Sequence, residues 1–147
     1  PCSYIGRKVM AVRRYLDWLR EAEDDLLAAR ELLNLGRYSK ACFFAQQAAE
    51  KALKAMLIYK AGVFEITHSV VRLLEVALEH GIEVPGELFE RAEALDSLYI
   101  PTRYPNAWPY GPPHIHYDEE DARRAIGDAE AILKFVGAEV EGAPEQA

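Results

Sequence analysis

The sequence predicts an all-α protein, an up-and-down helical bundle of four to five helices. Three observations carry this: apolar residues recur at helical spacing through most of the chain, no segment alternates as a half-buried strand does, and no glycine-rich phosphate loop follows a strand-like run. At 147 residues the chain fits one domain and can bury one core. Hydrophobic residues make up 50% and charged ones 28%, ordinary globular usage rather than that of a disordered chain. The formal net charge of −7 opposes broad wrapping of nucleic acid and leaves room only for a local basic site.

The first helix spans about Arg13 to Leu35. Tyr15, Leu19, Ala22, Leu26, Ala29 and Leu33 form one face, Asp17, Arg20, Glu21, Asp24, Asp25 and Arg30 a solvated remainder, and Gly36 stops it. Residues 1–12 are read as an N-terminal extension, 13–138 as the bundle and 139–147 as a fraying tail. The second helix, Ser39 to Ala61, opens on Ser39 as its cap and ends before Gly62. It is apolar almost all round, as a central helix must be, with a stripe of Ala41, Ala45, Ala48, Ala52 and Ala55 that admits close approach. Its polar edge is Gln47, Glu50, Lys51 and Lys54, with Glu50 and Lys54 spaced to pair. This edge is either a solvent-facing stripe or a surface on which Lys51 and Lys54 meet an anion or a partner.

Thr67 or Ser69 caps a short third helix ending near Gly81, with His68 beside its N-terminus and His80 near its C-terminal end. The fourth takes Pro85 in its first turn and runs to about Leu98. Asp118, with Asp121 three residues on, caps the fifth, which keeps helical spacing from Ala122 to Val136 and closes at Gly137.

The segment Tyr99 to Tyr117 is longer than bundle connections usually are. Pro101, Pro105, Pro109, Pro112 and Pro113 restrict its backbone, and Tyr99, Tyr104, Trp108, Tyr110 and Tyr117 are too apolar to hang in water, so an ordered strap packed on the bundle is expected. Aromatic faces to stack a base, Arg103 for a phosphate or a carboxylate, and the imidazoles of His114 and His116 suit a nucleotide or exposed RNA. The alternative is a strap that only covers the core, with Arg103 paired to an acid such as Glu50.

Tyr15-Leu16-Asp17-Trp18 with Ala22 and Asp25, Gly36-Arg37-Tyr38, the run from Ala45 to Lys54 (Ala-Gln-Gln-Ala-Ala-Glu-Lys-Ala-Leu-Lys), His68-Ser69, Tyr99 with Arg103-Tyr104-Pro105, and the alanine-rich last helix occur in an order that resembles the HEPN domain, a small helical bundle. The resemblance covers roughly Tyr15 to Val136. It implies a homodimer that binds nucleotides and acts with a separately encoded minimal nucleotidyltransferase in a two-component, in some cases toxin-antitoxin, system. Some members are metal-independent ribonucleases with an Arg and a His separated by four to six residues. Here ten residues separate Arg103 from His114 and twelve separate it from His116, so the Arg-Tyr-Pro form is more similar to the nucleotidyltransferase-partner branch, where the motif is associated with binding.

The reading is therefore a ligand-binding subunit using Arg103, Tyr104, Tyr99, Tyr110, Lys51, Lys54, Gln47 and His68. A ribonuclease using Arg103 with His114 or His116, and a plain assembly module, stand as alternatives. No cofactor is expected. No metal is expected either, since His114 and His116 with Asp118, Glu119 and Glu120 complete no evident ligand set. Cys2 and Cys42 suggest no structural disulfide, and with no apolar run long enough to span a bilayer and no secretory signal they point to a cytoplasmic setting away from membranes.

Overall fold

The computed structural model describes residues 4–140, with side chains from residue 13 onward. It contains five α-helices: α1 (Tyr4–Asn34), α2 (Tyr38–Ala61), α3 (Val70–Glu79), α4 (Glu87–Asp96) and α5 (Glu119–Val140). Among the described residues there is no strand. The centre is α2, which packs against α1 along most of its length and against α5 on another side, while α3 and α4 lie across the remaining flank. The alanine stripe explains the arrangement, because Ala41, Ala45, Ala48, Ala52 and Ala55 are all fully buried and bring neighbouring helices close.

Several helix ends differ from those the sequence predicts. α1 starts at Tyr4, inside the segment read as an extension. Arg37 occupies the N-cap of α2 without a side-chain cap, and Ser39 lies within the helix, buried. α4 begins at Glu87 and ends at Asp96, short of Leu98, because the chain turns tightly through Tyr99 and Arg103 toward the strap. α5 runs through Gly137 to Val140, since one glycine costs a helix only about 1 kcal/mol; residues 141–147 of the predicted tail, and Cys2, lie outside the described residues. Gly62 does terminate α2, at φ 65°, a left-handed conformation open to glycine. Asp118 and Asp121 cap α5 reciprocally, each side chain accepting from the other's backbone N–H at 2.9 and 3.0 Å.

The junction of α3 and α4 holds together through one carboxylate. Asp96 Oδ1 accepts from the Val70 N–H at 2.6 Å, and Oδ2 accepts from the Ser69 hydroxyl at 2.7 Å and the Val71 N–H at 3.2 Å. Ser69 also caps α3 itself, accepting from the Arg72 N–H. A residue at the end of α4 thus satisfies the orphan donors at the start of α3. Because His68 precedes Ser69 and Tyr99 follows Asp96 by three residues, this bond fixes where those two rings meet.

The strap is ordered, as its composition predicts. It carries two short 3-10 turns, Pro105–Ala107 and Pro113–His116. Trp108 Nε1 donates to the Pro101 carbonyl at 2.7 Å, and the buried Thr102 hydroxyl donates to the Leu98 carbonyl at 2.6 Å. Gly111 turns the strap at φ 72°, where an added Cβ would lie 2.6 Å from Ile115 Cδ1.

Asp96→Ala should cost about 1–2 kcal/mol, read as a lowered urea midpoint, since two amides and a hydroxyl lose their acceptor. Burial pushes the Cys42 thiol up from 9.0 to about 12, with Asp121 and Asp118 adding to it. The unfolded thiol ionises first, so its contribution to stability is complete below about 9 and is lost as pH rises toward about 12. The urea midpoint should fall on raising the pH above about 9, and fall less in Cys42→Ala.

Candidate functional site

Along one edge of α2 the structure assembles one continuous row of polar and aromatic side chains. Its centre is Glu50, a carboxylate only 3% exposed. Lys54 Nζ donates to Glu50 Oε2 at 3.0 Å, one helical turn on. Gln46 and Gln47 approach Oε1 with their amide nitrogens at 3.4 and 3.5 Å, and His68 Nδ1 lies 3.3 Å from both oxygens. A carboxylate only accepts, so the geometry calls for a proton on Nδ1 of this half-exposed ring. Gln46 also donates to the His68 carbonyl at 2.9 Å, fixing its backbone.

The row continues in both directions. On one side the ammonium of Lys54 sits 5.7 Å from the ring centroids of both Trp18 and Phe64. On the other, His68 stacks on Tyr99 with centroids 4.7 Å apart and planes 16° off parallel. Beyond Tyr99 comes Arg103, whose guanidinium carbon lies 4.4 Å from the Phe43 centroid, 4.6 Å from Tyr99 and 4.9 Å from Tyr104. Nε and Nη2 of Arg103 both donate to the Tyr99 carbonyl, at 2.9 and 2.8 Å. Nη1 has only a long contact, 3.4 Å, to the Tyr104 hydroxyl. The result is a cation clamped between aromatic faces with donor capacity to spare.

The residues singled out from sequence divide into those this row collects and those it does not. Arg103, Tyr104, Tyr99, His68, Gln47 and Lys54 fall in it. Lys54 is buried, however, and neutralised by Glu50, so the polar edge of α2 is not a solvent-facing stripe. Lys51 turns the other way, to Asp25 at 2.7 Å and Glu21 at 3.9 Å. Burial pushes the Asp25 carboxyl above its ordinary value of 3.8, while Lys51 pulls it back. Neither lysine is an uncommitted cation. Arg103 does not pair with Glu50; the Tyr99 carbonyl takes it instead.

The two strap histidines go elsewhere. His116 stacks on Trp108 at 3.9 Å, meets Tyr110 edge-on at 5.0 Å and sits 2.8 Å from the Tyr110 carbonyl through Nε2. His114 lines a cleft at the start of α2. Neither has a hydrogen bond to Arg103, and among the described residues no group able to hold a metal forms around them. The acidic trio Glu21, Asp24 and Asp25 does bring its carboxylates within 4.8 Å, but Lys51 already occupies its buried member. Among the described residues no helix is long and apolar enough to cross a membrane.

Sequence reasoning did not single out several members of the row, Phe43 and Phe64 among them, nor Asp96, which supports the row from outside it. Phe43 reads as core bulk in an apolar helix, yet is the face on which Arg103 rests. Asp96, which places His68 and Tyr99, carries no sequence signal beyond lying at the end of a helix.

A model of the HEPN domain family matches residues 15–140, the same stretch that builds the bundle and the row. The chain belongs to the HEPN domain family. Solved structures superpose on it closely. TT1696 from Thermus thermophilus gives a TM-score of 0.82 at 44% identity, over 86% of this chain and 98% of that one. ST0689, an archaeal HEPN homologue, gives 0.73 at 37% identity, over 87% and 98%. The HEPN domain protein tm0613 of Thermotoga maritima gives 0.69 at 33% identity, over 86% and 98%. A protein of Methanocaldococcus jannaschii named "Putative toxin MJ1304" is 31% identical over 127 residues, 81% of this chain and 83% of its own length.

Within this HEPN bundle Glu50 and Lys54 form a buried pair whose separation is costly. Glu50→Ala should lower unfolding free energy by about 3–5 kcal/mol in urea titrations, because it strands a buried ammonium. Replacing both together, Glu50→Leu with Lys54→Met, should recover most of that loss.

Proposed function

We propose that this HEPN protein is a nucleotide- or RNA-binding subunit of a toxin-antitoxin-type two-component system. It would act as a homodimer with a separately encoded minimal nucleotidyltransferase. The observation that carries the reading is the Arg103 clamp. A guanidinium seated among Phe43, Tyr99 and Tyr104, with Nη1 still able to donate, matches a phosphate beside a base that can stack. Tyr104 is 49% exposed, which leaves aromatic surface next to the cation, whereas Tyr110, 69% exposed, packs against His116 instead. His68, stacked on Tyr99 in the same row, adds an imidazole held through Nδ1. The relative named as a toxin and the Arg-Tyr-Pro motif support the two-component setting.

A second reading, a metal-independent ribonuclease, is favoured by one observation. His68 packs on the ring of Tyr99, whose carbonyl and ring also hold Arg103, and Glu50 orients its imidazole. A histidine oriented by a carboxylate is the arrangement a general base uses. If RNA is cleaved, His68 rather than His114 or His116 is the imidazole to hold responsible.

Calorimetric titration with ATP and with a short RNA, alone and with the nucleotidyltransferase added, tests the leading reading. Arg103→Ala should weaken binding about tenfold or more. Unchanged affinity in that variant, or no heat with either ligand, would count against it. For the second reading, EDTA-resistant cleavage of RNA should vanish in His68→Ala and survive in His114→Ala; survival in both would dismiss it.

A further inference from the structure

The first turn of α2 is uncapped, and what surrounds it is built almost entirely of donors. Arg37 at the N-cap offers no side-chain acceptor, and there is no acidic residue in the first turn. The helical ladder begins with the Ala41 N–H on the Arg37 carbonyl, so the N–H groups of Tyr38, Ser39 and Lys40 have no acceptor among the described residues. Three aligned amides at the positive end of a 24-residue helix favour an anion. A helix end alone is common, but here a second observation points the same way. Ser39 is 1% exposed, and its Oγ is a buried side-chain oxygen with no hydrogen-bond partner among the described residues. A buried hydroxyl without a partner costs free energy that a bound acceptor would recover.

Ser39 is one of the residues lining a cleft of about 310 Å³, together with Gly36, Arg37, Tyr38, Lys40 and His114. No carboxylate lines it. Among the described residues Arg37 and Lys40, like Arg13, Arg20, Arg103 and Lys134, take part in no ion pair, and these two line the same cleft. In a chain of net charge −7, two such cations converging on an uncapped helix end are a specific local feature.

We propose that this cleft is a phosphate-binding site, formed by the amides of Tyr38, Ser39 and Lys40, the Ser39 hydroxyl, and the side chains of Arg37, Lys40 and His114. The donor count selects the ligand class. Three amides, a hydroxyl and two cationic groups exceed what the two oxygens of a carboxylate accept, and they suit the several oxygens and the charge of a phosphoryl group. The cleft is larger than a phosphate ion, so the group can arrive as an ester with its remainder directed outward. The site is separate from the Arg103 clamp and stands or falls independently of it. Inorganic phosphate carries no base to stack on the aromatic row.

Titration of the ¹⁵N-labelled full chain with inorganic phosphate, at ionic strength matched with sodium chloride, tests the site. Saturable shifts of the Tyr38, Ser39 and Lys40 amides are expected. Ser39→Ala and Lys40→Gln, both on a helix whose core they leave intact, should each weaken that response about tenfold. Titrations with 5′-AMP against adenosine, and with an RNA oligonucleotide lacking terminal phosphates, identify the source. A response to AMP but not to the oligonucleotide assigns a terminal phosphate, and a response to the oligonucleotide assigns an internal phosphodiester; either upholds the site. Absence of saturable shifts at these amides with all three phosphates, shifts that chloride reproduces, or equal responses in both variants would overturn it.

Discussion

A carboxylate buried on the central helix sets what the rest of the molecule must do. Glu50 lies on a helix otherwise committed to alanine and leucine packing, and removing such a charge from water costs several kcal/mol unless donors surround it. Lys54, Gln46, Gln47 and His68 supply them. The first three are on the same helix and cost the chain no long-range organisation. His68 must be delivered from the connector after α2, and the Asp96 carboxylate does this by anchoring the start of α3 to the end of α4. The same anchor presents Tyr99, so the imidazole is held on one edge by Glu50 and on one face by a tyrosine ring.

From there the order propagates without further charges. Tyr99 offers its carbonyl to two nitrogens of Arg103 and its ring to the guanidinium face, and Phe43 closes the other side. Arg103 is therefore positioned by neutral groups. An arginine paired to a carboxylate would have its charge neutralised; one held by a carbonyl and aromatic rings keeps it available to an anion. That distinction separates Arg103 from Lys51 and Lys54, which the helical spacing placed on the same edge but which acids of the protein already neutralise. It also puts Arg103, seated on Phe43, in one class with Arg37 and Lys40 at the head of α2: cations beside the first turns of a single helix, without an ion pair among the described residues.

The bundle is legible in the sequence because burial patterns on long helices repeat many times, and each repeat reports the same face. The Asp118–Asp121 box and Gly62 could be read for the same reason, since their chemistry is local. Ser39 misleads because it has the composition of a cap but stands two residues inside the helix that Arg37 begins. The row of residues is half legible. Arg103, Tyr99, His68 and Lys54 stand out as polar or aromatic residues in unusual places, and the HEPN resemblance groups them. What joins them does not follow from spacing: Asp96 bridges to a segment more than twenty residues earlier, and Glu50 selects His68 over Arg103 only once that bridge is in place. His114 and His116 look alike in sequence and part company in space, one at the head of α2 and one stacked on Trp108.

The central claim is that the buried Glu50 carboxylate holds His68 against Tyr99. Ring-to-ring nuclear Overhauser contacts between His68 and Tyr99 measure it most directly, compared between the wild-type protein and the Glu50→Leu, Lys54→Met double variant under conditions where both are folded. The contacts should be strong in the wild type and lost in the double variant, with the remaining aromatic contacts of Trp108 and His116 unchanged. If the His68–Tyr99 contacts persist at full strength without the carboxylate, the ring pair organises itself and Glu50 is not what positions the site.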